Sequence, residues 1–431
     1  ISPMKKYYNL GKKVLFPICR SLTGLGIRKT LKIIKKEFPK LKIKSIKSGT
    51  KVFDWSVPAE WSITDAYVLD KNGLKIIDFK KNNLHLMGYS MPVNKKVSKK
   101  ELLEKLFSSQ KVKNAIPYVT SYYKKNWGFC VSKNHKNEIN KKYKKDERFK
   151  ILIDSNFKKN GNMPIGEYVI QGESKQEILI STYVCHPSMA NNELSGPLLS
   201  MMLIDYFKKY KLNKTLRFIF VPETIGSIAY IHQNKKKMKN IIAAFNLTCV
   251  GDQRSFSCML SKSENAPSDH ALISTFKKLK IKFKKFHFTK RGSDERQFNW
   301  PGIDIPMTSF FRTKYGEYPE YHTSEDTFGR VVTKKGLMGS FKIMKFSIES
   351  IMKNYYPIAT VFCEPKMDKR GLYSYLSFTE KKFNYQRKYI DFMIYSDGKN
   401  NIDQIAKKIK LNYKISFKIF KLLLNKKLIR V

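Results

Sequence analysis

Acidic residues are scarce in this chain. Only 35 Asp and Glu stand against 84 Lys and Arg, a formal net charge of +49 over 431 residues. A surplus of that size has two readings. One is attraction to nucleic acid, anionic lipid or acidic glycan. The other is a lysine-rich surface that follows from AT-rich coding sequence. Asn, Ile, Phe and Tyr are abundant together with Lys, and the lysines run along the whole chain, which favours a solvated surface over a focused patch. Paired cysteines are missing as well. The six cysteines, at 19, 130, 185, 249, 258 and 363, show no CxxC spacing. They offer no disulfide framework, and thiols in strand-like surroundings such as Cys185 and Cys249 fit a reducing cytoplasm. Long apolar runs are also lacking: none approaches the ~18 residues of a membrane span. Ile1–Lys6 and the polar Tyr7–Lys13 hold no signal-peptide core, although the missing initial methionine leaves an upstream segment open. The expected location is the cytoplasm.

What is present suits a large folded protein. Apolar residues make up 42% and aromatics 13%, so the chain is not disordered by composition and should hold two or three domains. Residues 4–40 carry apolar positions at helical spacing, with a break near Gly24-Leu25-Gly26. From about residue 50 the period shortens. Val52–Pro58 and Ala66–Phe79 read as short strands, the latter folded about a Lys71-Asn72-Gly73 turn. We read 51–145 as an inserted β-rich domain, and 1–50 with 146–365 as the core. In that core, Lys150–Asp154, Glu167–Ile170, Ile178–Ile180, Leu216–Val221 and Ile242–Leu247 are strand-like and alternate with helical segments. Such alternation predicts an α/β fold: a mostly parallel sheet with helices on both faces. Residues 366–431 offer three helical segments and the strand-like Leu428–Val431, the outline of a winged helix-turn-helix. No internal repeat is visible.

In open parallel sheets the chemistry gathers beyond the carboxyl ends of the strands. His186, Glu223 and Asp252 all fall there. His186 follows a buried strand and precedes Asn191-Asn192-Glu193-Leu194-Ser195-Gly196, so it can donate a ring nitrogen to a metal, with Glu193 in reach. Glu223 can bind metal or take a proton from an activated water, or serve only as a favourable charge at a helix start. Asp252, after Gly251, can ligate or simply make a turn. Gly292–Phe298 places Asp294, Glu295 and Arg296 beside a glycine, a substrate wall or a salt-bridged helix start. A second histidine, His322, sits in an acidic, aromatic loop with Tyr315, Tyr318 and Tyr321. Two distant histidines with carboxylates between them suggest a zinc hydrolase.

The phrases Cys19–Gly24, Ser48–Trp55, Asn83–His85, Tyr183–Pro197, Val221–Ser227, Cys249–Asp252, Gly292–Phe298, Gly316–Ser324 and Lys369–Tyr373 carry a resemblance. In order and over nearly the whole chain, they resemble aminopeptidase-like proteins related to the co-catalytic zinc aminopeptidases of leucyl-aminopeptidase and glutamate-carboxypeptidase type. Those proteins have an inserted small β domain and a C-terminal winged helix, and often accompany surface-polysaccharide biosynthesis. The resemblance implies a zinc-aminopeptidase-like core that acts on a small peptide or amide, with one or two zinc ions. It implies His186, Glu193, Asp252 and His322 as metal residues, Glu223 as the catalytic carboxylate, and Asp294, Glu295, Arg296 and Tyr321 at the substrate. Three positions depart from the peptidase pattern. Asn192 stands where a bridging Asp is expected. Ser188 replaces the Asp that orients the first histidine. Glu223 is alone where two glutamates are usual. The alternative is a non-catalytic, peptidase-like binding protein that engages a partner through its β module or winged helix. The third helix of that module, Ser416–Leu424, offers only lysines among apolar residues, which argues against specific DNA reading. A homo-oligomer stays open.

Overall fold

The computed structural model describes residues 3–372 and 383–431; Tyr373, the last residue of one phrase above, lies outside them. The main sheet has eight strands, ordered Lys42–Lys47, Asn162–Ile170, Thr215–Val221, Glu177–Tyr183, Ile241–Leu247, Met307–Phe311, Ser257–Met259 and Lys284–Phe286. The four in the middle, from Thr215–Val221 to Met307–Phe311, are mutually parallel. Antiparallel pairings begin on either side of them.

The middle strands are buried on both faces, which is why they read as unbroken apolar runs. Successive residues of Glu177–Tyr183 still serve different cores. Ile178 and Ile180 pack into the layer containing helices Ser195–Phe207, Pro267–Lys278 and Lys334–Lys353. Leu179 packs on the opposite side with Ile228, Ile231 and Phe298, as a period of two requires.

A second sheet, ordered Lys75–Asp78, Glu60–Leu69, Arg148–Lys158 and Val93–Ser98, is wholly antiparallel. The Lys71-Asn72-Gly73 turn closes its first hairpin, with Gly73 at φ 79°. The strand read at 150–154 belongs to this sheet and not to the core, so the inserted sheet runs past the expected boundary at 145. Its alternating burial, with Phe149, Ile151 and Ile153 inward and Lys150 outward, marks a strand with one wet face; the short apolar run masked that alternation.

At the C-terminus, helices Phe383–Ile394, Ile402–Lys408 and Tyr413–Asn425 pack with a two-stranded sheet of Ile358–Ala359 against Ile429–Arg430. That pairing brings residues before 366 into the winged helix. The third helix buries Ser416, Ile419, Phe420 and Leu423, and Phe420 lies 5.1 Å from the Tyr355 ring. Among the described residues no helix is long and apolar enough to cross a membrane.

Lys214 sits at the seam between core and winged helix. Its ammonium donates to Asn354 O at 2.6 Å, and it lies 5.9 Å and 5.8 Å from the Tyr355 and Tyr356 ring centres. Burial pushes its pKa down from 10.5 to about 8. The unfolded chain keeps this proton up to about pH 10.4. The unfolded state therefore binds more protons in the window above the folded pKa, and stability rises with pH there. The difference in unfolding free energy between wild type and Lys214→Met should move in favour of wild type from about pH 8 to about pH 10. A flat difference would contradict this assignment.

Candidate active site

The carboxyl ends of the four parallel strands lie together, and each of the four loops leaving them carries an expected site residue. His186 lies three residues past Tyr183, Glu223 two past Val221, and Asp252 five past Leu247. His322 arrives on the long loop after Met307–Phe311. The His186 and His322 rings are 5.8 Å apart between centroids, and His186 Nε2 is 3.4 Å from Glu223 Oε2. Sequence positions 136 apart thus share one site.

Backbone strain marks these positions. Thr224 has φ 64° and ψ −80°, and Ile225 N donates to Glu223 O at 2.9 Å. This is a tight three-residue turn that a β-branched residue adopts at a cost. The turn is held from outside. Thr224 N donates to Asp294 Oδ1 at 2.8 Å, Ser227 Oγ donates to the same oxygen at 2.7 Å, and Arg296 Nη2 donates to Thr224 Oγ1 at 2.5 Å. The result projects Glu223 toward His186 with its side chain 23% exposed. His322 and Cys249 also have positive φ, 55° and 52°. Strain gathered in this way is typical of sites where the surroundings over-determine the backbone.

The electrostatics follow from burial and from these pairs. Burial alone would raise the Glu223 carboxyl, but the His186 contact and nearby Arg296 and His322 hold it below its ordinary range. Burial by itself would lower His186, but its pKa is raised above the usual value, with the Glu193 carboxylate 2.9 Å from Nδ1. His322 is pushed down to about 3 by burial and by His186, so its ring is neutral. Asp294 is raised to about 7 by burial and by Glu223.

Several expected site residues are engaged by the chain itself. Glu193 is fully buried and faces the far side of His186, where Oε2 accepts from the His186 N–H at 2.8 Å and lies 2.9 Å from Nδ1. Cys185, His186 and Glu193 have ligand atoms within 4.8 Å of one another. The Cys185 thiol, however, is pushed up to about 11 by burial and receives Glu223 N at 3.3 Å. Asp252 accepts from Thr313 N at 2.9 Å, Thr313 Oγ1 at 2.7 Å, Arg254 N at 3.0 Å and Asn191 Nδ2 at 3.4 Å. It closes a turn, the second of the two uses its sequence allows. Glu295 accepts five hydrogen bonds, from Gly292 N, Ser293 N, Tyr315 Oη, Asn246 Nδ2 and Ser309 Oγ, at 2.8–3.3 Å. It is a buried strut with no oxygen left for a substrate. Asp294 and Arg296 keep one atom each without a partner, Oδ2 and Nε. Tyr321 stacks on His322 at 3.9 Å.

Three contributors escaped the sequence reading. Tyr118, from the inserted module, packs edge-on against both histidines at 5.3 and 5.1 Å. Its loop is pinned over the site, since Tyr118 N donates to His322 O at 2.8 Å and Ile116 and Ser324 exchange hydrogen bonds. Nothing in the local sequence of that loop signals the role. Asp326 accepts from the amides of Asn191 and Asn192 at 2.7 and 2.9 Å, a carboxylate at the start of a helical segment. Arg20, inside the phrase Cys19–Gly24, braces Glu193 from behind.

This architecture, a parallel core with its site at the carboxyl strand ends, an inserted antiparallel sheet and a C-terminal winged helix, is that of an aminopeptidase-like protein. Residues 8–354 match the family profile described as "Domain of unknown function (DUF4910)", and residues 355–431 match a winged helix-turn-helix profile. The chain belongs to the DUF4910 family. A Clostridium acetobutylicum protein, provisionally named as a polysaccharide biosynthesis protein with an aminopeptidase-like domain, is 42% identical over 94% of this chain and 92% of its own length. The crystal structure of a provisionally named peptidase from the same organism has a TM-score of 0.79 at 39% identity, covering 99% of this chain and 96% of the other. BSAP, a zinc aminopeptidase from Bacillus subtilis, shares the fold with a TM-score of 0.59 at 13% identity, covering 80% of this chain and 93% of its own.

Proposed function

We propose that this chain is a metal-dependent hydrolase of aminopeptidase type that cleaves a peptide or amide bond in surface-polysaccharide biosynthesis. The observation that carries this reading is the convergence of His186, Glu223 and His322 from three different strand ends. Two imidazoles that can hold a zinc ion stand beside one carboxylate, which can serve that ion as the base or as a third ligand but not as both. The donor chemistry fits one ion. It does not supply a second, because Asn192 is neutral, Glu193 is bound to His186, and Asp252 is spent on its turn. Asn192 Oδ1 is buried and accepts no hydrogen bond from the chain, so it offers at most a neutral oxygen to the site.

When bound, zinc would polarise the scissile carbonyl and acidify an attacking water. The chain's own residues supply the rest. His322, kept neutral, presents a ring lone pair. Glu223, kept ionised, can receive the proton of the nucleophile and pass it to the leaving amine. Asp294 and Arg296 hold the turn that aims Glu223, and their unpartnered atoms suit the polar end of a substrate. Tyr118 and Tyr321 wall the site with aromatic surface and exclude water, which strengthens each of these interactions. An amide on a sugar would use the same chemistry as a peptide.

Metal analysis after chelator-free purification tests this reading. We expect about one zinc per chain, since the two imidazoles suit a single ion, and its loss in His322→Gln. A folded wild-type protein that binds no divalent metal would instead support the non-catalytic binding protein, which the Asn192 and Ser188 departures favour.

A further inference from the structure

The His186 ring is held from behind by an arrangement that hydrolysis does not use directly. Glu193 Oε2 lies 2.9 Å from His186 Nδ1 and also accepts the His186 main-chain N–H at 2.8 Å. A carboxylate can only accept, so Nδ1 carries the proton and Nε2 is left to face Glu223 and the open side. The other Glu193 oxygen, Oε1, lies 3.1 Å from Arg20 Nε, and both side chains have zero exposure. The Arg20 Nε–H itself points at His186 O, 2.9 Å away, while Nη1 donates to Leu15 O at 2.6 Å and Nη2 reaches Pro187 O at 3.5 Å. Oε1 is thus held by charge rather than by an aligned hydrogen bond, in keeping with its having no hydrogen-bond partner.

A fully buried ion pair is a poor source of net stability, because desolvation consumes most of the attraction. The two groups here converge on one imidazole and on the two carbonyls of the loop that carries it. Ser188, where an orienting acid would stand, is turned the other way. Its Oγ donates to Phe16 O at 2.5 Å and accepts from Asn83 Nδ2 at 2.8 Å.

We propose that Glu193 and Arg20 are positioning residues for His186. Glu193 supplies the orienting carboxylate that Ser188 cannot, and Arg20, brought from the N-terminal segment, locks that carboxylate and the His186–Pro187 carbonyls in register. The proposal rests on His186 being a metal ligand. It explains why Glu193 follows Asn192 in this chain and why a buried arginine lies 166 positions upstream of the histidine it braces.

The test uses the full-length protein and zinc alone. Arg20→Lys keeps the charge but loses the fork. The double variant Arg20→Met with Glu193→Gln removes both charges, so no unpaired ion is left buried. Two quantities are read in folded protein: zinc affinity by chelator competition, and solvent exchange of the His186 Nδ1 proton by NMR with labelled histidine. Loss of such orienting partners should weaken zinc about 10–100-fold, and the Nδ1 proton should exchange faster in both variants. Wild-type affinity and wild-type exchange in a folded double variant would overturn the proposal. If the wild type binds no zinc, the hydrolase reading fails by itself, and proton exchange still decides the pair: slow in wild type and fast in the variants upholds it, equal rates reject it.

Discussion

Glu223→Gln is expected to lower amide hydrolysis about 10³-fold, within the range set by losing a general base, while leaving the fold in place. The amide fills the same volume. The strained turn that aims residue 223 is held by Asp294 and Arg296 through Thr224, not by the Glu223 carboxylate. With its side chain 23% exposed, the new amide also keeps access to solvent. The unfolding midpoint should therefore shift by no more than about 2–4 °C, the scale of ~1 kcal/mol in a large domain. Turnover is read on a panel of aminoacyl anilides and N-acetylated amino sugars with zinc present, beside metal content. Retained zinc with lost turnover assigns Glu223 as base; lost zinc assigns it as ligand. Full turnover on a substrate that wild type cleaves would remove Glu223 from the mechanism.

Gly196→Ala should destabilise the fold by about 3 kcal/mol or more. A Cβ at 196 would stand 2.3 Å from Leu247 O and 2.3 Å from Thr182 Oγ1. These atoms belong to neighbouring central strands and are bonded to each other at 3.0 Å, so neither can yield without opening the sheet beneath the site. Helix Ser195–Phe207 would have to lift, and Asn191–Glu193 would lift with it. Zinc binding should weaken along with stability. Gly302→Ala is the comparison. Nothing lies within 4 Å of a Cβ there, and only its φ of 84° opposes the change, for about 1–2 kcal/mol. Denaturant titrations that ranked the two equally would show that helix and sheet do not meet as closely as described.

Much of the architecture was legible in the residues. Apolar runs such as Ile178–Ile180 and Leu216–Val221 predict strands buried on both faces, and the helical segments between them predict parallel order; the central strands are parallel in this way. His186 and Glu223 were legible as strand-end residues, because the carboxyl end of a parallel strand is open to a site whatever the loop contains. The winged helix was legible from the periods of its three helices. Lys150–Asp154 was misplaced because a short apolar run does not reveal which sheet it joins.

Local period and strand polarity were enough to place His186 and Glu223 at strand ends, without reference to distant parts of the chain. What each group does there depends on residues that folding brings up from elsewhere in the chain. Asp252, Glu295 and Glu193 look like ligands or substrate contacts in sequence. Asp252 and Glu295 have their oxygens filled by Thr313 and Tyr315 among others, and Glu193 is held against His186 with the Arg20 charge beside its other oxygen. Tyr118 comes to the histidines from a separate sheet. A carboxylate's role is set by which donors fill its oxygens, and those donors are brought together only when the strands pair and the inserted loop folds down over His322.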